Sequence, residues 1–184
     1  MIRVYTGLPG SGKSALAVWY AYKASKKGRR VFTNMTSLSF PHVRVESWRA
    51  LLEARDGLIL LDEGHIWFNS RLYRFIPYSL LCYWSQVRKN DLDVIITCQN
   101  IARVEKVLRE LTNEVWQCKR IGWFVFARRC TPEDEYLGRS IGFTRLAYKL
   151  YKTKETVSPP IELLAREEKI MQENEQWLSG VGTK

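Results

Sequence analysis

The sequence predicts an α/β fold in which helices sandwich a mainly parallel β-sheet. Short apolar runs of strand length alternate with segments of helical periodicity. The run at 58–61 is apolar throughout, as in strands covered on both faces. The first run leads into the glycine-rich sequence G-x-x-x-x-G-K-S at 7–14, which opens a helical segment. This order of strand, glycine loop and helix predicts a P-loop NTPase of the RecA-like class, with a C-terminal extension.

The other elements follow from apolar runs and from start and stop signals. Ser47 is the expected N-cap of the second helix, and Gly28 ends the first. Residues 136–150 form either a further strand or an extended arm. We expect strands at 2–5, 31–34, 43–45, 58–61, 94–98, 115–119 and 123–128, and helices at 15–27, 48–54, 77–89 and 103–111.

Three segments are expected along the chain: a P-loop core at 1–130, a basic and aromatic extension at 131–160, and a C-terminal surface helix at 161–184. Apolar pairs recur every seven residues in that last helix, at 163/164, 170/171 and 177/178. This stripe is narrow, so the helix is expected to lie on the surface.

Composition limits the class of protein. The chain has 184 residues, 46% of them hydrophobic, which suits one domain with a full core. No run of about 18 apolar residues occurs, and the first strand begins at the N-terminus, so neither a membrane span nor a signal peptide is expected. The four cysteines are widely spaced without C-x-x-C, which predicts reduced thiols, a cytoplasmic location and no zinc site.

The glycine-rich motif predicts a site for ATP and Mg²⁺. Backbone N–H groups in such loops face phosphate oxygens, and glycines permit positive φ and close approach. Lys13 would reach the β- and γ-phosphates, and the Ser14 hydroxyl would hold Mg²⁺. The alternative is an anion-binding turn without turnover. The predicted nucleotide-binding residues are Gly7, Leu8, Pro9, Gly10, Ser11, Gly12, Lys13, Ser14 and Ala15.

A second part of the site follows two later strands. The run at 58–61 ends in Asp62, which would support Mg²⁺, and Glu63, which could activate the attacking water. The run at 94–98 ends in Gln99, which could sense the γ-phosphate, with Asn100 as the neighbouring candidate. The alternative for Gln99 is a cap of the following helix. His65 is expected to be structural.

These residues together resemble the N-terminal domain family of zonular occludens toxin, over roughly residues 1 to 130. The matching residues are 7–14, Leu60–His65 with Phe68, Ser70 and Arg71, and Arg88 ahead of Leu92–Gln99. That family includes morphogenesis proteins of filamentous phages and is similar to the FtsK/HerA motor ATPases.

The resemblance implies an ATPase that assembles as a ring, usually a hexamer, and drives phage DNA export and virion assembly at the host inner membrane. Coat or assembly proteins and the cytoplasmic face of that membrane are the further partners it implies. Ring motors need an arginine from a neighbouring subunit, for which Arg71 and Arg88 are the candidates; either could instead be a surface or DNA-contacting residue. Family members commonly carry a later transmembrane segment, so a chain without one up to Lys184 would be an excised domain or a stand-alone motor.

The charge distribution favours a polyanionic partner. The net charge is +10, and residues 161–184 carry five acids and three bases, so the rest of the chain is more basic still. Residues 119–152 interleave eight bases with seven aromatics. We expect DNA, in single-stranded form, with phosphate contacts from Arg128, Arg129 and Arg145. The alternative is that these aromatics pack a core or a subunit interface, with DNA at Arg29, Arg30 and Arg103.

Two other functions compete with a motor. A nucleotide-binding module without turnover could dock on a membrane or a coat protein through its basic surface. A small-molecule kinase is disfavoured, because the charge is unusual for a metabolic enzyme and no cluster of lid arginines is seen.

Overall fold

A computed structural model of the chain describes residues 1–181, with the side chains of residues 1–173. One eight-stranded sheet runs through these residues in the order β3-β2-β4-β5-β1-β6-β7-β8. Its strands are β1 (Ile2–Thr6), β2 (Arg30–Thr33), β3 (Val43–Arg44), β4 (Gly57–Leu61), β5 (Leu92–Cys98), β6 (Glu114–Ile121), β7 (Phe124–Cys130) and β8 (Tyr136–Phe143).

Strands β1 to β6 pair in parallel, whereas β6 pairs with β7, and β7 with β8, in antiparallel hairpins, so β6 belongs to both parts of the sheet. β5 pairs with both β1 and β4, so it is the strand inserted between the P-loop strand and the strand that precedes Asp62. Parallel strands end at one edge of a sheet, and the segments after β1, β4 and β5 therefore meet there.

The helices are α1 (Lys13–Lys26), α2 (Trp48–Leu52), α3 (Tyr78–Ser85), α4 (Lys106–Glu110) and α5 (Ile161–Val181). Two apolar clusters cover the two faces of the sheet, because alternate residues of each strand point to opposite sides. One cluster packs α1 on Tyr5, Leu58 and Ile95; the other packs the later helices on Val4 and Ile59 and their neighbours. No helix within the described residues is both long and apolar enough to cross a membrane.

The predicted caps are confirmed. The backbone N–H of Ala50 donates to Ser47 Oγ at 3.0 Å, and Gly28 takes a φ of 80° just after α1. Residues 136–143 form a strand, as the first of the two interpretations of 136–150 proposed, and a short 3₁₀ turn follows at Ala147–Lys149. β8 extends the same sheet as β7, across the expected segment boundary at 130.

The predicted helices at 48–54, 77–89 and 103–111 are shorter in the structure. The last one is a 3₁₀ turn at Ile101–Arg103 followed by α4, because Val104 is extended and forms a bridge with Asn69. Glu105 then caps α4 by accepting from the N–H of Val107 at 2.7 Å.

The C-terminal helix lies on the surface at Met171 while Leu163 is buried against the core, as the narrow stripe predicted. The Trp177 and Leu178 side chains lie outside the described residues.

Candidate nucleotide-binding site

The P-loop lies between β1 and α1 and is shaped by its glycines. Gly10 and Gly12 have φ of 78° and 84°, in the left-handed region that favours glycine. A Cβ on Gly12 would lie 2.2 Å from Val125 Cγ2, so only glycine lets β7 pack behind the loop. α1 begins at Lys13, and its N-terminal N–H groups are oriented toward the loop.

The loop fits a phosphate. Space is open around Gly10, where an added Cβ would meet nothing within 4 Å. The Ser11 hydroxyl is buried without a hydrogen-bond partner among the described residues. A polyphosphate at this position would give that hydroxyl a hydrogen-bond partner and could accept from backbone N–H groups of the loop.

Lys13 is only 5% exposed, and its Nζ lies 3.2 Å from Glu63 Oε1. Glu63 in turn lies 3.3 Å from His65 Nδ1, measured from its other carboxylate oxygen. Burial lowers the pKa of His65, although the Glu63 carboxylate opposes this shift. The loop lysine and the predicted catalytic carboxylate are therefore in direct contact, and a bound phosphate would compete with Glu63 for Lys13.

Asp62 is held on both its backbone and its side chain. Asn34 exchanges two hydrogen bonds of 2.9 Å with the Asp62 backbone, and the Thr97 hydroxyl donates to Asp62 Oδ1 at 2.6 Å. Burial raises the pKa of Asp62, against the lowering effect of hydrogen bonds from Thr97 and Ser14. The Ser14 hydroxyl and the Asp62 carboxylate lie within hydrogen-bond distance of each other. Both are oxygen ligands of the kind that Mg²⁺ prefers, so these two residues would hold the ion.

Gln99 follows β5 and lines the same pocket as Lys13, Asp62 and Glu63. Its Oε1 accepts a hydrogen bond from Arg103 Nη1 at 3.1 Å. Asn100 instead caps the 3₁₀ turn by accepting from the N–H of Ala102 at 2.8 Å. Of the two candidates for the sensor, Gln99 is thus the one at the pocket.

The pocket has an outer wall that sequence reasoning missed. It encloses about 380 Å³, and one side is closed by a residue of β6 and by residues after β8: Arg120, Tyr148, Tyr151, Thr153 and Glu155. Arg120 Nη1 donates to the Tyr148 hydroxyl at 2.7 Å. Glu155 ties this wall to the segment after β2 by accepting from the Thr36 and Ser37 hydroxyls. The only feature of the sequence that could have indicated this wall is Arg120, a basic residue next to the predicted hairpin turn.

The two arginines predicted to act in a neighbouring site lie at different edges. Arg71 is exposed and borders a depression beside His65. The backbone carbonyl of Arg88 accepts a hydrogen bond from the N–H of Asp91, which directly precedes β5. Because β5 is seven residues long, the start of this strand lies about 20 Å from Gln99 at its other end. Arg88 therefore lies at the edge opposite its own nucleotide pocket.

Several arginines expected to bind DNA are already engaged. Arg129 bonds Glu114 at 2.8 Å and stacks over Trp116, and Arg128 bonds Asp134 at 2.7 Å. Arg29 is paired with Asp93, and Arg30 bonds the carbonyl of Arg55 at 2.5 Å. Arg145 and Arg103 are exposed, and neither forms an ion pair within the described residues.

The family model of zonular occludens toxin (Zot) matches residues 1–156. The chain belongs to the Zot family. The matched segment includes the P-loop, both acidic residues, Gln99 and the outer wall of the pocket, so all parts of the candidate site lie inside the family domain. The resemblance predicted from residues 1 to 130 is confirmed and extends further.

Known proteins agree with this assignment. The Gene 1 protein of Enterobacteria phage I2-2 is 31% identical to this chain over 147 residues. The match covers 65% of this chain and 40% of the phage protein. The chain thus spans well under half of that relative's length.

Several solved structures share the fold, including the following two. The N-terminal domain of zonular occludens toxin from Neisseria meningitidis has a TM-score of 0.62 at 19% identity, covering 82% of this chain and 98% of that one. The genome packaging NTPase B204 of Sulfolobus turreted icosahedral virus 2, in complex with ATP-gammaS, has a TM-score of 0.54 at 12% identity, covering 76% and 95%. The predicted P-loop NTPase fold is confirmed.

Proposed function

We propose that this chain is the ATP-hydrolysing motor domain of a filamentous-phage-like element, and that it drives phage DNA export and virion assembly. One observation carries the proposal: a loop lysine, two carboxylates and an amide converge from three strand ends on a single pocket. The membership in the Zot family, the phage relative and the packaging NTPase with a similar fold support it.

Each residue has a role in hydrolysis. Lys13 and the loop N–H groups bind the phosphates of ATP, and Ser14 and Asp62 hold Mg²⁺, which neutralises charge on the phosphates when bound. ATP binding draws Lys13 from Glu63, which leaves that carboxylate free to accept a proton from the attacking water. Gln99 contacts the γ-phosphate or that water from the β5 side.

Binding and turnover assays on two variants test these roles. Lys13→Ala should abolish ATP binding, and Glu63→Gln should bind ATP while turnover stops, because one removes charge neutralisation and the other removes the base. Wild-type turnover in Glu63→Gln would remove Glu63 from the catalytic role. ATP binding without any turnover in the unchanged chain would favour the non-motor module.

We further propose assembly into a ring, which we expect to be a hexamer, at the cytoplasmic face of the host inner membrane. An uncovered face of the antiparallel hairpins supports self-association. α1 packs against Val125 and Ala127 on the inner side, while the outer side of these strands exposes a large apolar patch. Its members are Ile121, Phe124, Phe126, Ile141 and Phe143, bordered by Lys119, Arg128 and Arg139. Apolar patches of this kind mark interaction sites.

A second copy of the chain offers a complementary surface at the other end of the sheet. There α5 exposes Ile161, Leu164 and Met171 beside Glu167 and Glu168, on one side of the helix. The apolar patch on the hairpins is bordered by basic residues, and the one on α5 is bordered by acidic residues. Because the two patches lie at opposite ends of the sheet, they suit a head-to-tail contact between copies, which can close a ring.

Charge exchange tests this contact. Reversing Lys119 and Arg139 to Glu, or Glu167 and Glu168 to Lys, should each prevent assembly, because both faces then carry one sign. An equimolar mixture of the two variants should assemble again, since every contact then joins opposite charges. Sedimentation velocity measures the outcome, and assembly of either variant alone as in the unchanged chain would refute the contact.

A further inference from the structure

A basic depression lies between the segments that carry Glu63 and Gln99. It encloses about 350 Å³ and is lined by His65, Asn69, Ser70, Arg71, Ala102 and Arg103. One wall follows β4 and the other follows β5, so the depression adjoins the nucleotide pocket at the carboxyl edge of the sheet.

The two walls are tied together through backbone and side chains. Asn69 bridges Val104, the Ser70 hydroxyl donates to the carbonyl of Ala102 at 3.3 Å, and the N–H of Glu105 donates to the carbonyl of Phe68 at 2.9 Å. The depression is thus preformed, and a ligand need not order two loose loops in order to bind.

Its charge selects an anion. Arg71 and Arg103 are exposed, and neither contacts a carboxylate within 4 Å in the described part of the chain. Ser70 adds a hydroxyl beside them. Two guanidinium groups and a hydroxyl around one depression suit a phosphodiester, which arginine binds through paired N–H groups.

Arg103 also holds a predicted catalytic residue. Its Nη1 donates to Gln99 Oε1 at 3.1 Å, and Gln99 lines the nucleotide pocket. The guanidinium therefore reaches either the amide of Gln99 or a phosphate in the depression, and a charged acceptor forms the stronger hydrogen bond.

We propose that this depression binds a phosphate of single-stranded DNA and that Arg103 couples DNA binding to ATP hydrolysis. Without DNA, Arg103 keeps the Gln99 amide directed away from the γ-phosphate. A DNA phosphate draws Arg103 from Gln99, and the released amide turns to the γ-phosphate or the attacking water. The inference rests on the proposed motor function, since it assigns the place where DNA acts on that activity.

Two variants of Arg103 separate binding from coupling. Arg103→Ala removes both contacts, so it should weaken binding to a fluorescein-labelled oligothymidine and lower the slope of log affinity against log salt by about 1. Its turnover without DNA should rise toward the stimulated level of the unchanged chain, and further stimulation should disappear. Arg103→Lys keeps a cation for the phosphate but replaces the forked guanidinium with a shorter side chain, which weakens the bond to Gln99, so it should retain most affinity while its turnover without DNA rises.

Arg49→Ala is the matched control, because Arg49 is a largely exposed arginine on α2 that lines neither the nucleotide pocket nor the depression. It should leave affinity and stimulation unchanged. Unchanged DNA affinity in Arg103→Ala would refute the binding site. Unchanged turnover without DNA, together with full stimulation, in both Arg103 variants would refute the coupling. If DNA fails to stimulate the unchanged chain, the motor function itself is wrong, which is a different result from either.

Discussion

Thr97 is the buried side chain on which both acidic residues of the site depend. Its hydroxyl donates to Asp62 Oδ1 at 2.6 Å and accepts from the backbone N–H of Glu63 at 3.0 Å. Thr97→Val keeps the shape of the side chain and removes both bonds, leaving a carboxylate oxygen and an N–H without that partner. Each loss costs about 1–3 kcal/mol, so the free energy of unfolding should fall by about 2–6 kcal/mol.

Activity should fall more than folding requires. Asp62 and Glu63 lose a common anchor, and misplacement of catalytic groups costs up to about 10²-fold in rate, so we expect kcat to drop by about 10- to 100-fold. Urea unfolding and steady-state ATPase assays measure the two effects at a temperature where the variant stays folded.

Thr97→Ser is the matched control for this substitution. It keeps the hydroxyl and loses one methyl group, which should cost about 1 kcal/mol of stability and little activity. If Thr97→Val proves as stable and as active as Thr97→Ser, the hydroxyl does not position the acidic residues and the reasoning fails.

Three further predictions concern the pocket wall, the sheet and the subunit contact. Arg120→Ala should weaken ATP binding by about tenfold, because a cation lining the pocket is lost; equal affinity by isothermal titration would exclude a phosphate contact. Burial raises the pKa of Glu114, but its hydrogen bonds, above all the one from Arg129, lower the pKa overall. The stability that this carboxylate contributes is therefore present above the unfolded pKa of about 4.3, and it is lost as the pH falls through the folded pKa. Glu114→Gln should reduce stability at neutral pH, and urea midpoints measured from neutral to acid pH should show the difference from the unchanged chain shrinking. Mixing Arg88→Ala with Lys13→Ala chains should restore turnover if Arg88 acts in a neighbouring site, and no recovery at any ratio would remove it from that role.

The parts of the candidate site could largely be located from the sequence, because each part is a local pattern. The loop at 7–14, the acids after β4 and the amide after β5 each follow a recognisable strand, and parallel strands bring their carboxyl ends together. Asn34 and Thr97 could not be predicted, because they reach Asp62 from positions 28 and 35 residues away.

The predicted helix at 103–111 failed for a similar reason. Its periodicity was helical, but Val104 pairs with Asn69 across 35 positions, and this contact overrides the local preference.

The aromatic residues of β7 and β8 show another limit. Residues 124–127 are apolar at every position, so both faces of this part of the strand are apolar, and no sequence pattern shows which face a helix will cover. In the structure α1 covers the small residues Val125 and Ala127, and the larger side chains remain exposed. The exposure of these aromatic side chains therefore depends on where α1 packs, which the structure shows and the sequence does not.

Turnover per chain, measured against protein concentration with and without single-stranded DNA, tests the central claim most directly. A motor whose site is completed by assembly should show total activity that rises more than linearly with concentration, so turnover per chain should increase with concentration and increase further with DNA. Lys13→Ala at the same concentrations provides the background. Turnover per chain that stays constant over this range and ignores DNA would contradict a DNA-driven ring motor, even with ATP bound.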